Sequence, residues 1–262
     1  MRFCPLYSGS SGNVSVVWRR NEIILVDAGV SARRIVCALK ALDIDVSEVD
    51  GVLITHEHID HIRGIGVLAR RYRLPVYANE ATWNAMPASL GDIPGECVRI
   101  IESDAEFYIK DMRIRAFRTS HDAAEPVGYS FCAGERRMSV VTDIGCMDAR
   151  VINELCGSSL VLIESNHDVE MLRAGSYPYP LKRRILGEFG HLSNDDCAQA
   201  LLKLYHTGLK TAVLGHLSQE NNMEPLAYET VRAALNSDGI FEDMLAVSLA
   251  HRDRMGGVYD VY

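Results

Sequence analysis

Two periods of hydrophobicity alternate along the chain. Short apolar runs, solid or alternating with polar residues, predict strands at Val14–Trp18, Ile23–Val26, Val52–Ile54, Arg113–Phe117, Gly128–Phe131, Ser139–Thr142, Leu160–Ile163, Ala212–Leu214 and Leu245–Val247. Between them, apolar residues spaced three and four apart predict helices over Ser31–Leu42, Gly64–Tyr72, Ala149–Leu155, Ser193–Tyr205 and Pro225–Leu235. Ser193 with Asp196 three residues on has the form of a capping box, which marks a helix start. Arg20-Asn21 reads as a turn between two strands, so the first half opens as an antiparallel meander, and the rest mixes strands with helices. Two sheets packed face to face, with helices covering their outer faces, bury every apolar face this pattern creates. The chain shows no repeat, low-complexity tract or linker, and a single domain over 1–262 is expected.

Composition narrows the class. Hydrophobic residues make up 48% of the chain and charged residues 24%, ordinary values for a protein that buries a core. A formal net charge of −8 excludes a protein that coats nucleic acid by bulk positive charge, though not a nuclease whose metal ions meet the phosphate. Basic clusters occur at Arg70-Arg71-Tyr72-Arg73, Arg113/Arg115/Arg118, Arg136-Arg137 and Lys182-Arg183-Arg184; solvated faces are the simplest reading of each, and the last is a candidate for local phosphate contact. Seven scattered cysteines, none in a CxxC pair, form neither a disulfide framework nor a thiolate zinc site. They read as buried thiols of a reducing compartment. No signal-peptide pattern opens the sequence and no apolar run reaches the ~20 residues of a spanning helix. A cytoplasmic protein without membrane attachment or an obligate protein partner is expected.

The chemistry is concentrated in Thr55-His56-Glu57-His58-Ile59-Asp60-His61, directly after an apolar strand. In extended chain, residues two apart point the same way, so His56 and His58 can share one ion, while Asp60 and His61, past the bend, can turn to a second. Imidazole with carboxylate and no thiolate suits zinc, manganese or iron.

At these residues the chain resembles the metallo-β-lactamase superfamily, whose motif HxHxDH this is. The other motifs follow in order: Asp27 closing Ile23-Ile24-Leu25-Val26-Asp27, His121 in Thr119-Ser120-His121-Asp122, Asp143 in Val140-Val141-Thr142-Asp143, and His216 in Val213-Leu214-Gly215-His216. The resemblance implies the α+β fold of that superfamily, an αββα sandwich, and two divalent metal ions. By it, His56, His58 and His121 hold one ion, Asp60, His61 and His216 the other, and Asp143 bridges them. Asp27 would steady the histidine loop from behind without touching an ion. Such a pair of ions makes hydroxide available near pH ~7, with Asp60 or Asp143 taking the proton. The flavin-linked members, which replace the second histidine by glutamate, do not fit, since that position is His58.

Superfamily members cut lactams, lactones, thioesters and phosphodiesters, so the fold alone names no substrate. Glu164 after an apolar strand, then Gly190-His191-Leu192-Ser193, then His216 resemble the layout of the transfer-RNA 3′-processing members. That layout implies that Glu164 orients His191 and that His191 protonates the leaving oxygen. Ser8-Gly9-Ser10-Ser11-Gly12-Asn13 reads as a hairpin turn or as a loop offering N–H groups to phosphate. Together with Ser165-Asn166-His167-Asp168 and Gly190–Asn194 it resembles the bacterial YycJ/WalJ-type nucleases of the superfamily, implied to degrade DNA ends. Ser10, Asn13 and Asn166 are the candidate substrate contacts. The chain lacks the inserted domain of the RNA-clamping members and the arm of the tRNA-processing ones. A metal-dependent 5′–3′ exonuclease is the leading expectation, and a small-molecule hydrolase (cyclic phosphodiesterase, lactonase or thioesterase) the alternative.

Overall fold

A computed structural model describes all 262 residues. The strands are β1 (Arg2–Tyr7), β2 (Val14–Arg19), β3 (Glu22–Val26), β4 (Gly51–Leu53), β5 (Val76–Ala78), β6 (Val98–Ile100), β7 (Glu106–Ile109), β8 (Met112–Arg118), β9 (Val127–Ala133), β10 (Arg136–Val141), β11 (Leu160–Glu164), β12 (Thr211–Gly215), β13 (Ala246–Leu249) and β14 (Tyr259–Asp260). The α-helices are α1 (Ala32–Lys40), α2 (Ile59–Ile62), α3 (Ile65–Tyr72), α4 (Glu80–Ala85), α5 (Ala149–Leu155), α6 (Val169–Ala174), α7 (Tyr179–Ile185), α8 (Asn194–Tyr205) and α9 (Glu224–Ser237).

Seven strands form each sheet, ordered β14-β1-β2-β3-β4-β5-β6 in one and β13-β12-β11-β10-β9-β8-β7 in the other. Each sheet is mixed in the same way. In the first, β1, β2 and β3 pair antiparallel and β3 to β6 parallel. In the second, β7 to β10 pair antiparallel and β10 to β13 parallel.

Side-chain alternation explains the layering. On β3, Ile24 and Val26 point into a core shared with Tyr129, Met138, Val140 and Leu162 of the other sheet. Ile23 and Leu25 point the opposite way, towards Ile35 and Leu39 of α1 and Leu68 of α3. The second sheet repeats this: Val161, Ile163 and Leu214 face Leu155, Leu201 and Val231 of α5, α8 and α9. A strand buried on both faces reads as an unbroken apolar run, which is why β3 and β11 are legible. The result is the αββα sandwich expected.

All nine expected strands and all five expected helices are present, most shifted by only a residue or two at their ends. The elements not foreseen are short. β5 and β6 have three residues each, and α2, α4, α6 and α7 have between four and seven, too few to display a period. β1 carries Pro5 and lies between β14 and β2.

Candidate metal centre

The residues singled out meet at one edge of the sandwich, where the two sheets abut. Asp27 follows β3, the histidine loop follows β4, His121 follows β8, Asp143 follows β10, Glu164 ends β11 and His216 follows β12. His191 lies in the loop between α7 and α8.

The loop is held before any ion is considered. Asp27 accepts the Thr55 N–H at 2.8 Å and the Thr55 hydroxyl at 2.9 Å, and pairs with His61 Nδ1 at 2.8 Å. The Asn13 N–H donates to the Asp60 carbonyl at 2.8 Å, and the Ala28 N–H to that of His61 at 2.7 Å. A Cβ on Gly29 would lie 1.5 Å from the Asp60 carbonyl oxygen, so only glycine lets β3 and this loop approach so closely.

Four groups of side chains bring ligand atoms within 4.8 Å of one another: His56, His58 and His121; Asp60, His61 and His216; His56, His61 and Asp143; and Asp143, Glu164, His191 and His216. Asp143 lies between the first two, its carboxylate 3.1 Å from His61 Nε2, 3.5 Å from His216 Nε2 and 3.8 Å from His121 Nε2. The far nitrogens of the rings are engaged elsewhere. His121 Nδ1 donates to the Gly190 carbonyl (3.0 Å), His216 Nδ1 meets Glu164 (2.7 Å), and His56 Nδ1 meets the Thr55 hydroxyl (3.0 Å). That leaves Nε2 of these rings turned to the common centre, the orientation a metal ligand requires. Asp143 Oδ2 and His216 Nε2 are buried there with no hydrogen-bond partner. Orphaned buried polar atoms are costly, and divalent cations at the two clusters would satisfy both. The donor set therefore fits two divalent ions, with nothing in it that selects one metal.

Glu164 is fully committed. Its Oε1 is 2.8 Å from His191 Nδ1 and 2.7 Å from His216 Nδ1, and its Oε2 accepts the Ile144 N–H at 2.8 Å. Burial alone would raise its pKa; the two imidazoles outweigh that and hold it at about 2, so it is a carboxylate. Burial lowers His191, but Glu164 more than offsets this and the net shift is upward. His191 is thus held through Nδ1 by Glu164, beside a cavity of about 190 Å³.

The proposed substrate contacts lie as follows. Ser10 is exposed on the loop. Asn13 is buried, its side chain accepting the Gly9 N–H at 2.9 Å and lying 3.0 Å from His61 Nε2. Asn166 is buried too and donates to the His216 carbonyl at 2.8 Å, while also lining the His191 cavity. Of the basic cluster on α7, Lys182 is turned inward to the Arg173 and Gly175 carbonyls, Arg183 is exposed, and Arg184 Nε pairs with Asp122.

Sequence reasoning did not single out Thr55, which ties Asp27 to the loop, or Ser8, whose hydroxyl accepts the His216 N–H at 2.8 Å. Nor did it foresee that Glu164 reaches His216 as well as His191. The pattern around Ser8 and Thr55 carries no signal for these contacts, since hydroxyls at strand ends are commonplace.

This edge-of-sheet cluster on an αββα sandwich defines a class of protein. The chain belongs to the metallo-β-lactamase superfamily, and residues 22–217 match the beta-lactamase superfamily domain. More particularly, it is 43% identical over 239 residues to exodeoxyribonuclease YycJ of Bacillus anthracis, covering 91% of this chain and 90% of the relative. It is 42% identical over 232 residues to exodeoxyribonuclease WalJ of Streptococcus pneumoniae, covering 88% and 86%. Zn(2+)-bound PqqB from Methylobacterium extorquens superposes with a TM-score of 0.72 at 16% identity, over 99% of this chain and 100% of that one, a likeness of fold.

Proposed function

We propose that the protein is a metal-dependent exonuclease that hydrolyses phosphodiester bonds at DNA ends. The observation that carries this reading is the Glu164–His191 pair: a buried carboxylate holding an imidazole, 2.8 Å away, beside the cluster that would take the metals. A deoxyribose alkoxide is a poor leaving group and needs a proton, which a positioned imidazole can give, whereas the thiolate of a thioester depends on one far less. The exodeoxyribonucleases YycJ and WalJ, similar over most of their length, support DNA as the substrate.

His56, His58 and His121 would hold one ion, Asp60, His61 and His216 the other, and Asp143 both, with Asp27 steadying the loop. Zinc or manganese suits these donors, and iron fits them as well. Bound there, divalent ions supply a nucleophile at neutral pH and neutralise charge on the phosphate. Asp60, partly exposed at the lip of the cluster, receives the attacking water's proton. His191 gives its proton to the departing oxygen, and Glu164 balances the charge of the imidazolium and fixes which ring nitrogen carries the proton. Asn166 and the Ser10 end of the Ser8–Asn13 loop border the path of the strand. Seven unpaired cysteines suit a reducing cytoplasm, and the apolar core continuous between the sheets suits one domain over 1–262.

The test is leaving-group dependence. Replacing His191 by alanine should leave metal content intact and slow hydrolysis of linear duplex by about 100-fold or more. A p-nitrophenyl phosphodiester, whose leaving group departs without protonation, should be slowed far less. Equal losses on both substrates would remove His191 as the acid. Cleavage of a lactone, thioester or cyclic phosphodiester with no cleavage of DNA would replace the nuclease reading altogether.

A further inference from the structure

Arginines gather at the end of the sandwich opposite the metal centre. β2 begins next to Asn13, whose side chain lies 3.0 Å from His61 Nε2, and runs six residues to Arg19. At ~3.3 Å per residue, that end is about 20 Å from the cluster. β10 spans the same distance in the other sheet, with Asp143 just past its last residue and Arg136 as its first. An open crevice of about 600 Å³ joins the two sheets at this far end. Arg2, Arg19 and Arg20 line it from the first sheet and Arg136 from the second, with Trp18 beside them.

Their charge is poorly compensated. Elsewhere guanidiniums meet carboxylates at short range: Arg115 bonds Glu154 through two nitrogens at 2.8 Å, and Arg118 meets Glu125 at 2.9 Å. In the crevice the contacts are long or lacking. Arg2 is 3.4 Å from Asp260 and Arg19 is 3.9 Å from Glu22, while Arg20 and Arg136 have no carboxylate within 4.0 Å. Asp260 is the one acidic residue in the wall. Burial first, and then Arg136 and Arg19, lower the pKa of the neighbouring Met1 amino group, as uncompensated positive charge does.

Four guanidiniums around one carboxylate repel one another, and a bound anion would relieve that cost. The chain as a whole carries −8. A nucleic-acid strand running past the crevice would meet repulsion that a compact anion held inside it escapes. A single phosphate engages one or two of the forks, whereas a short row of phosphates engages them all. The volume falls within the ~300–1,000 Å³ of small-molecule sites.

We propose that this crevice binds a compact polyphosphate, free or as the tail of a nucleoside triphosphate, through Arg2, Arg19, Arg20 and Arg136. The proposal stands apart from the nuclease reading. Each guanidinium offers its planar fork to a phosphate group. Because the arginines come from both sheets, the ligand ties the sandwich together at the end that the metal donors leave untouched.

The test follows the heat of binding and Trp18 fluorescence together, in metal-loaded protein carrying Trp83→Phe. Trp83 bonds the Arg99 carbonyl of β6, four strands from β2, so its removal leaves Trp18 as the sole indole reporter. Inorganic triphosphate should bind one per chain in the micromolar range, and orthophosphate about tenfold more weakly or worse. Arg20→Ala and Arg136→Ala should each weaken triphosphate about tenfold, the worth of a charge-assisted contact. Arg33→Ala, at an exposed position on α1, should change nothing. A thermal melt without ligand checks that each variant is folded. Thymidine 5′-triphosphate binding more tightly than triphosphate identifies a nucleotide as the ligand, and equal binding identifies the free polyphosphate. Triphosphate that binds only above millimolar concentration overturns the proposal. So does affinity unchanged in both arginine variants, which would put the anion on the metal ions. An oligothymidylate that binds with the same arginine dependence, where triphosphate does not, makes the crevice a nucleic-acid contact and overturns it too.

Discussion

Asp27, Asp143 and His216 share an unusual backbone. Each stands within two residues of the end of a strand and has a left-handed conformation, with φ of 60°, 56° and 55°. Such a conformation costs a residue bearing a Cβ about 1–2 kcal/mol, and here it turns each side chain sharply off its strand towards the cluster. The strain can be separated from the chemistry at position 143. Asp143→Ala and Asp143→Gly should both lose metal, as elemental analysis would record, yet the glycine variant should be the more stable by about 1 kcal/mol in urea unfolding. Alanine as stable as glycine would refute the strain. A second residue-scale feature is His167, buried with neither ring nitrogen bonded. Burial lowers its pKa to about 4 from 6.5, so it is neutral in the fold, and the unfolded chain binds the proton more readily between those values. Its contribution is therefore complete above about pH 6.5 and is lost as pH falls towards 4, at most about 3 kcal/mol. His167→Gln should flatten that part of the stability curve, and an unchanged slope in denaturant titrations would refute the assignment. The HxHxDH residues were legible because they are contiguous and chemically rare together. His167 and Ser8 were not, because burial and a partner 208 residues away leave no local trace.

At the scale of elements, length decided legibility. α8 spans twelve residues and was located by its period and by its start, where Ser193 Oγ accepts the Asp196 N–H at 3.1 Å and donates to Asp196 Oδ2 at 2.6 Å. α7 spans seven, begins after Pro178 and shows only a basic run, although it walls the cavity beside His191. Its position is set by tertiary contacts, the Arg184–Asp122 pair and the Lys182 bonds to the α6 end, none of which is local in sequence. The cap of α8 also fixes the short segment that carries His191. Ser193→Ala should cost about 1 kcal/mol. It should lower kcat on linear duplex more than it raises KM, because His191, the proposed acid two residues upstream, loses its footing. Loss of stability with kinetics unchanged would mean the His191 segment is held without the cap.

For the whole molecule, the proposed metal donors are shared between the sheets. His56, His58, Asp60 and His61 come from the first, and His121, Asp143 and His216 from the second. Ions bound there fasten one sheet to the other, so their free energy of binding is stability of the sandwich. Stripping the protein with a chelator should lower the melting temperature, on the order of 10 °C if the metal stands a thousandfold above its Kd. Zinc or manganese added back should restore it, and a melting temperature indifferent to chelator would refute binding across the two sheets. Sheet order was the part of the fold least legible. Periodicity found the strands, but the pairing of β1 with β14, almost the full chain apart, and the crossover that seats β4 beside β3 are decided by packing alone.

That division of donors also has a meaning during synthesis. The ribosome delivers His56 long before His216, and the two are 160 positions apart (216 − 56). At about 5–20 residues per second, a growing chain spends roughly 8–32 seconds with an incomplete set. Until the second sheet docks, free histidines can catch whatever ion is abundant, but they cannot assemble the pair that cuts. A message broken between codons 61 and 216 therefore yields a fragment without nuclease power, and an enzyme that attacks DNA cannot be born armed.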